Sequence, residues 1–289
     1  MALVKKETTP ASSGVTRRMI APTATVKVSL PKGIEAAPDE VSAYTYLVYG
    51  ERKIGKSTLA SQFSRPFFLC FEPAGRSLQC KRVQVNNWAE LKAYLVLLEK
   101  DPSYCDTIVI DNANMCYNQC FEAKCAEVGL KSPRDAEGWD MPMLWKSIDR
   151  EFFEVHQRLF GLGKGVVITA HAEVREFQKR DGTKTHKLSV DLGKQAFRFY
   201  AGVVDLIAYY NYDDAGGRQL TIRGDGNVEA GCRISGHFML PDGVQMHDVP
   251  MGDVNEVDAF KRFEQAFHNK LKKEATAQKP VGGLLKKKS

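Results

Sequence analysis

Apolar and polar residues in this chain change period in a regular order. A polar, proline-containing stretch covers residues 1 to 42, with one strand-like run at Thr25 to Leu30. Short apolar runs then alternate with segments of helical spacing. Strands are predicted at Tyr44 to Tyr49, Phe67 to Phe71, Val83 to Val85, Thr107 to Ile110, Val166 to Ala170, Val203 to Tyr210 and Gln219 to Arg223. Lys56 to Ser64 reads as a helix; Trp88, Leu91, Leu95 and Leu98 share one helical face, as do Leu144, Ile148, Phe152, Val155 and Leu159. The alternation predicts an α/β fold: a mainly parallel sheet flanked by helices on both faces, with antiparallel strands added toward the C-terminus. Asp181-Gly182, inside Val174 to Leu188, signals a hairpin turn. An amphipathic helix through Val257, Phe260, Phe263, Phe267 and Leu271 closes the pattern. The expected organisation is an N-terminal extension at 1–42, one domain at 43–275 and a basic tail at 276–289.

Composition narrows the class. The chain has 289 residues, 43% hydrophobic and 26% charged, enough to bury a substantial core. No apolar run reaches the length of a membrane span and the first residues lack the core of a signal peptide, so a cytoplasmic protein without a membrane partner is expected. The seven cysteines form no C-x-x-C pair, which argues against a disulfide framework. Cys116, Cys120 and Cys125 crowd one segment, but Ala113, Cys116, Tyr117, Cys120, Phe121 and Val128 recur at helical spacing, which puts two of these thiols on an apolar stripe. No histidine falls at ligand spacing nearby, so a core role is expected rather than a metal site. The net charge of +6 is matched by the last twenty residues alone, with seven lysines against one glutamate, so polyanion attraction centres on the tail.

One motif carries chemistry with high specificity. Gly50-Glu51-Arg52-Lys53-Ile54-Gly55-Lys56-Ser57, followed by Thr58, fits G-x-x-x-x-G-K-[ST] at every fixed position and follows an apolar strand. Its glycines let backbone N–H groups curl around phosphate oxygens, Lys56 adds a positive charge and the Ser57 hydroxyl reaches Mg2+. Asp111 ends the Thr107 strand, where a carboxylate completes a metal site beside Ser57. Glu72 ends the Phe67 strand and is placed to orient water; His171 ends the Val166 strand and is placed to sense a terminal phosphate. Arg175, Lys179, Arg180, Lys184 and Lys187, with Phe177 among them, give the following hairpin a nucleic-acid-binding character. Glu173, Glu176 and Asp181 leave a merely soluble hairpin as the alternative.

With these elements in order, the chain resembles RecA-like ATPases, and in particular the core-only, phage-encoded members associated with single-strand annealing and recombination, often labelled AAA-family. The resemblance spans about 44 to 235 and rests on Tyr49 to Phe63, Phe68-Leu69 with Glu72, Ile108 to Asp111, and Val167 to His171. It implies a RecA-like P-loop sheet that binds ATP and Mg2+, with Lys56 and Ser57 on phosphate and metal, Asp111 completing the metal site, Glu72 activating water and His171 sensing the γ-phosphate. It also implies single-stranded DNA as partner, a homo-oligomer, and a basic residue given in trans, for which Arg223 and Arg233 are candidates; single-strand-binding or replication proteins are further partners. Phe71 stands where relatives tend to carry an acidic residue, and Pro73 follows Glu72. The expected function is an ATP-hydrolysing, DNA-binding protein of annealing or recombination. The alternatives are a nucleotide-gated scaffold with negligible turnover and a small-molecule kinase.

Overall fold

The computed structural model describes residues 30, 33, 34, 36–73, 76–137, 140–178, 182–253 and 258–271, and the chain divides into units at 1–37 and 38–289. Every helix and strand among the described residues lies in the second unit. The strand expected at Thr25 to Leu30, apart from its last residue, and the basic tail lie outside the described residues.

Among the described residues ten strands form one sheet: β1 (Thr45–Gly50), β2 (Pro66–Cys70), β3 (Lys81–Gln84), β4 (Thr107–Asp111), β5 (Gly165–Gln178), β6 (Lys184–Val190), β7 (Leu206–Tyr212), β8 (Arg218–Thr221), β9 (Gly231–Cys232) and β10 (Asp248–Gly252). The α-helices are α1 (Lys56–Ala60), α2 (Trp88–Lys100), α3 (Ala113–Glu127), α4 (Asp140–Phe160), α5 (Lys194–Val203) and α6 (Ala259–Phe267). Strand order is β10-β8-β7-β1-β5-β4-β2-β3, parallel from β7 to β3. β8, β9 and β10 add antiparallel pairings at the β7 side, and β6 folds back on β5 as an antiparallel hairpin. The expected fold class, a mainly parallel sheet between helices with antiparallel strands toward the C-terminus, is the observed one, and a single strand, β5, separates β1 from β4.

β1 and β4 carry no exposed residue because helices cover both faces of the sheet. Leu47, Tyr49, Ile108, Ile110, Val166 and Ile168 pack into a core with α2, α3, α4 and α5, while Tyr46, Val48, Val109 and Val167 face Leu59 of α1 and Phe263 and Phe267 of α6. Strand register then positions the site. Gly50 lies opposite both His171 and Tyr210, Ile110 opposite Ile168, and Cys70 opposite Asp111. Parallel strands in step finish along one edge, so Gly50, His171, Asp111 and, just past β2, Glu72 emerge together. At Gly50 a Cβ would stand 2.2 Å from the Tyr210 carbonyl oxygen, so only glycine allows β1 and β7 to approach as they do.

Several elements differ from expectation. The helix after the phosphate loop ends at Ala60 rather than Ser64, and Phe63 beyond it turns into the core. Val203 is the last residue of α5, not the first of a strand; Ala196 and Tyr200, one turn apart, bury that helix's inner face. β5 continues past Ala170 to Gln178, and the predicted hairpin is this strand with β6, its turn residues 179–181 lying outside the described residues. α6 covers Ala259–Phe267, with Val257 outside the described residues and Asn269 at a φ of 58° ending the run before Leu271. β9 and β10 have no counterpart in the pattern reading; β9 is two residues long, too short to show a period. Cys116, Cys120 and Cys125 are all buried and unpaired, as core cysteines should be.

Between α2, α4 and α5 lies an aromatic cluster of Trp88, Phe152, Phe199 and Tyr200 around the fully buried His156. His156 Nδ1 donates to the Phe152 carbonyl at 2.8 Å and Nε2 accepts from the Tyr200 hydroxyl at 2.8 Å, so the ring is satisfied while neutral. Burial lowers its pKa to about 4. A lowered histidine pKa contributes stability that is fully present above the unfolded value and is lost as pH falls through about 6.5 toward 4. Urea denaturation across that window is expected to show a loss of about 3 kcal/mol from this group. His156→Gln, compared with wild type at each pH, should flatten that part of the profile.

Candidate functional site

The loop between β1 and α1 holds the motif residues Gly50 to Thr58. Gly55 adopts a φ of +112°, which turns the chain into α1 and which a residue with a side chain reaches only under strain. The first bond inside the helix runs from Leu59 N–H to the Gly55 carbonyl at 2.9 Å, leaving the N–H groups of Lys56, Ser57 and Thr58 without intrahelical acceptors. Glu51, Arg52 and Lys53 are exposed at the loop's rim, whereas Ile54 is buried and anchors it. Lys56 Nζ donates to the carbonyls of Gly50 at 3.0 Å and Glu51 at 2.6 Å. Burial lowers its pKa to about 8, against the opposing pull of Asp111 and Glu72.

Asp111 is held on both sides. Ser57 Oγ donates to its Oδ2 at 2.7 Å, and Thr169 Oγ1, from β5, donates to its Oδ1 at 2.6 Å. A hydroxyl and a carboxylate in contact are hard oxygen donors of the kind Mg2+ takes, so Ser57 and Asp111 fit that ion. Across the cavity, Asn112 makes the contacts that sequence reasoning missed. Its Oδ1 accepts from Met115 N–H at 3.0 Å and caps α3, while Nδ2 donates to Glu72 Oε1 at 2.8 Å and lies 3.4 Å from His171 Nε2. Glu72 and His171 are themselves 4.0 Å apart. Burial first, then the charge of Lys56, lowers the His171 pKa, so its imidazole is neutral at neutral pH. The cavity so bounded measures about 440 Å³ and is lined by the loop together with Glu72, Asp111, Asn112, Thr169 and His171.

The hairpin cations divide. Arg175 pairs with Glu173, donates to the carbonyls of Val190 at 2.8 Å and of Leu192, and lies over the Phe197 ring, so it ties the hairpin base together. Lys187 pairs with Glu229 at 2.6 Å. Lys184 pairs with Glu176 at 2.8 Å, yet its side chain is 67% exposed, which leaves that pair weak. Phe177 is 41% exposed. Lys179 and Arg180 lie outside the described residues. Of the basic residues considered for action in trans, Arg233 donates to the carbonyls of Ala201 and Gly202, both at 3.1 Å, at the far end of β7 from the cavity. Arg223 is exposed just past β8.

A profile of the AAA_24 family, described as an AAA domain, matches residues 42–234. The chain belongs to this family. The AAA_24 match covers β1 with its phosphate loop, the Asp111 strand, the His171 strand and the hairpin, and it makes the domain a P-loop nucleotide-binding domain. A curated relative, the SPbeta prophage-derived uncharacterized protein YorG of Bacillus subtilis, is 26% identical over 130 residues, 43% of this chain and 40% of that protein's length. A KaiC-like protein, PH0186 of Pyrococcus horikoshii, is similar in structure with a TM-score of 0.37 and 14% identity over 64% of this chain and 80% of that one. Among the described residues no helix is long and apolar enough to cross a membrane.

The lowered Lys56 pKa has a measurable consequence. A bound phosphate favours the ammonium form, so nucleotide binding at a pH above about 8 should draw a proton onto Lys56. Calorimetric titration in two buffers of different ionisation enthalpy is expected to show this uptake. Lys56→Arg, whose side chain stays charged, should bind without it.

Proposed function

We propose that this protein hydrolyses ATP with Mg2+, and that turnover is coupled to single-stranded DNA held by the β5–β6 hairpin of a homo-oligomer. The observation that supports hydrolysis over passive binding is the placement of Glu72 and His171 on either side of Asn112, facing Lys56, Ser57 and Asp111 across one cavity. Phosphoryl transfer needs charge neutralisation, an oriented water and a group that reads the terminal phosphate. Lys56 and the loop N–H groups bind the phosphates. When bound, Mg2+ at Ser57 and Asp111 neutralises charge on the phosphate oxygens. Glu72, an acceptor already oriented by the Asn112 amide, positions and deprotonates the attacking water. His171, neutral and close to Glu72, hydrogen-bonds the terminal phosphate and moves with β5.

The DNA reading is supported by connectivity, since the strand carrying His171 continues directly into the hairpin. Exposed Phe177 offers a stacking surface and Lys184 offers charge, to which the sequence between β5 and β6 adds Lys179 and Arg180; Arg175 and Lys187 serve the hairpin's own structure. Arg223 is the better candidate for a residue given in trans, because the Arg233 guanidinium already caps the end of α5. The prophage origin of YorG is consistent with a phage recombination or annealing setting and a cytoplasmic workplace.

Glu72→Gln should retain nucleotide binding while lowering ATP turnover at least about a hundredfold; turnover equal to wild type would remove Glu72 from its assigned role. In a phosphate-release assay wild type should be stimulated by single-stranded DNA. Joint alanine replacement of Lys179, Arg180 and Lys184 should reduce the slope of log affinity against log salt by about 2, at roughly 0.7 per phosphate contact. An unaltered slope would move the DNA site off the hairpin.

A further inference from the structure

On the α6 side of the sheet, away from the phosphate loop, two histidines and an aspartate converge without any role in nucleotide chemistry. A nitrogen from each of His237 and His268 and a carboxylate oxygen of Asp39 lie within 4.8 Å of one another. We propose that Asp39, His237 and His268 form a binding site for a divalent transition cation of the zinc class, which fastens the chain entering β1 to the end of α6.

The arrangement is already organised for such an ion. His237 Nδ1 donates to the Phe267 carbonyl at 2.9 Å, which leaves Nε2 with its lone pair for a metal, and the backbone partner holds the ring's tautomer and direction. The ring is also stacked on Phe267 at 3.8 Å between centroids. The two backbone segments that carry the histidines are joined twice through Asn269, whose Nδ2 donates to Gly236 O at 2.8 Å and whose Oδ1 accepts from Met239 N–H at 2.7 Å. His268 Nδ1 stands 3.4 Å from Asp39 Oδ1. Asp39 follows Pro38, whose carbonyl accepts from the Tyr44 hydroxyl at 2.7 Å, and Tyr44 packs against both His237 and Phe267.

Two imidazoles and one carboxylate match the donor set of zinc, with a fourth position left for water. Tetrahedral coordination at zinc bond lengths separates ligand atoms by about 3.4 Å. The Asp39 side chain, 82% exposed, can close the remaining distance, while both rings are only partly exposed and that of His237 is already held by the Phe267 carbonyl. Mg2+ at Ser57 and Asp111 is served by oxygen donors alone, so the two sites discriminate between metals by ligand type.

The test uses the full chain stripped with chelator and titrated with Zn2+ without nucleotide, followed by Co2+ substitution monitored by visible absorption. Wild type is expected to bind one equivalent with the absorption of a nitrogen- and oxygen-ligated, four-coordinate cobalt ion, and to melt at a higher temperature with zinc. Asp39→Ala and His268→Gln should each weaken binding about tenfold or more and abolish the zinc-dependent melting shift. Asp39 is exposed enough that its loss leaves folding intact, so a negative result from that variant is interpretable. Wild-type affinity in either variant, or no zinc bound by wild type, overturns the proposal.

Discussion

Asp111 accepts hydrogen bonds from Ser57 on one oxygen and Thr169 on the other, so a single carboxylate ties the end of β4 to β5 and to the first turn of α1. That contact exists because β4, β5 and β1 are parallel and in step, with β5 between the other two. Shifting β4 by one residue would turn Asp111 to the opposite face of the sheet. The remaining parts of the site depend on the same edge: Glu72 follows β2 beside Asp111, His171 stands in β5 level with Gly50, and Asn112 caps α3 one residue beyond Asp111. The hydrophobic cores above and below the sheet thus act on chemistry by holding register.

Much of this was legible in the sequence because its signals were local. The phosphate loop is a contiguous motif, and the buried strands are runs of apolar residues that end in a polar one at the site. The buried faces of α2 and α4 contain the residues that their spacing picks out, with His156 added in α4. What stayed hidden depends on long-range placement. Thr169 looked like one more strand residue, and only the interposition of β5 between β1 and β4 brings its hydroxyl to Asp111. Asn112 had a usable signal, an amide preceding a helix where a cap is favoured. Its cap role was accessible in that way, but its reach to Glu72 and His171 comes from β2 ending, and β5 passing, beside it. α5 is short and its buried pair is only two residues, so the neighbouring apolar run masked it.

The hairpin shows the limit of counting charges. Seen as a string, Arg175, Lys184 and Lys187 are equivalent cations near an aromatic residue. In the fold Arg175 is a cross-link among Glu173, Val190, Leu192 and Phe197, and Lys187 is matched by Glu229 from a distant loop. Composition alone could not assign those duties, since the partners arrive from later segments of the chain.

β5 runs without interruption from the interior of the sheet through His171 to the outer reach of the hairpin, and its return strand is clamped at the base where Asp191 N–H meets the His171 carbonyl at 2.8 Å and Asn114 holds Asp191. Paired strands resist stretching, so seven residues beyond His171 form an arm of about 23 Å with its fulcrum in the cavity. A tilt of a few degrees about that point would carry the far end by about 1 Å, so the length of the paired strands magnifies any change in the direction of β5 where it passes the cavity.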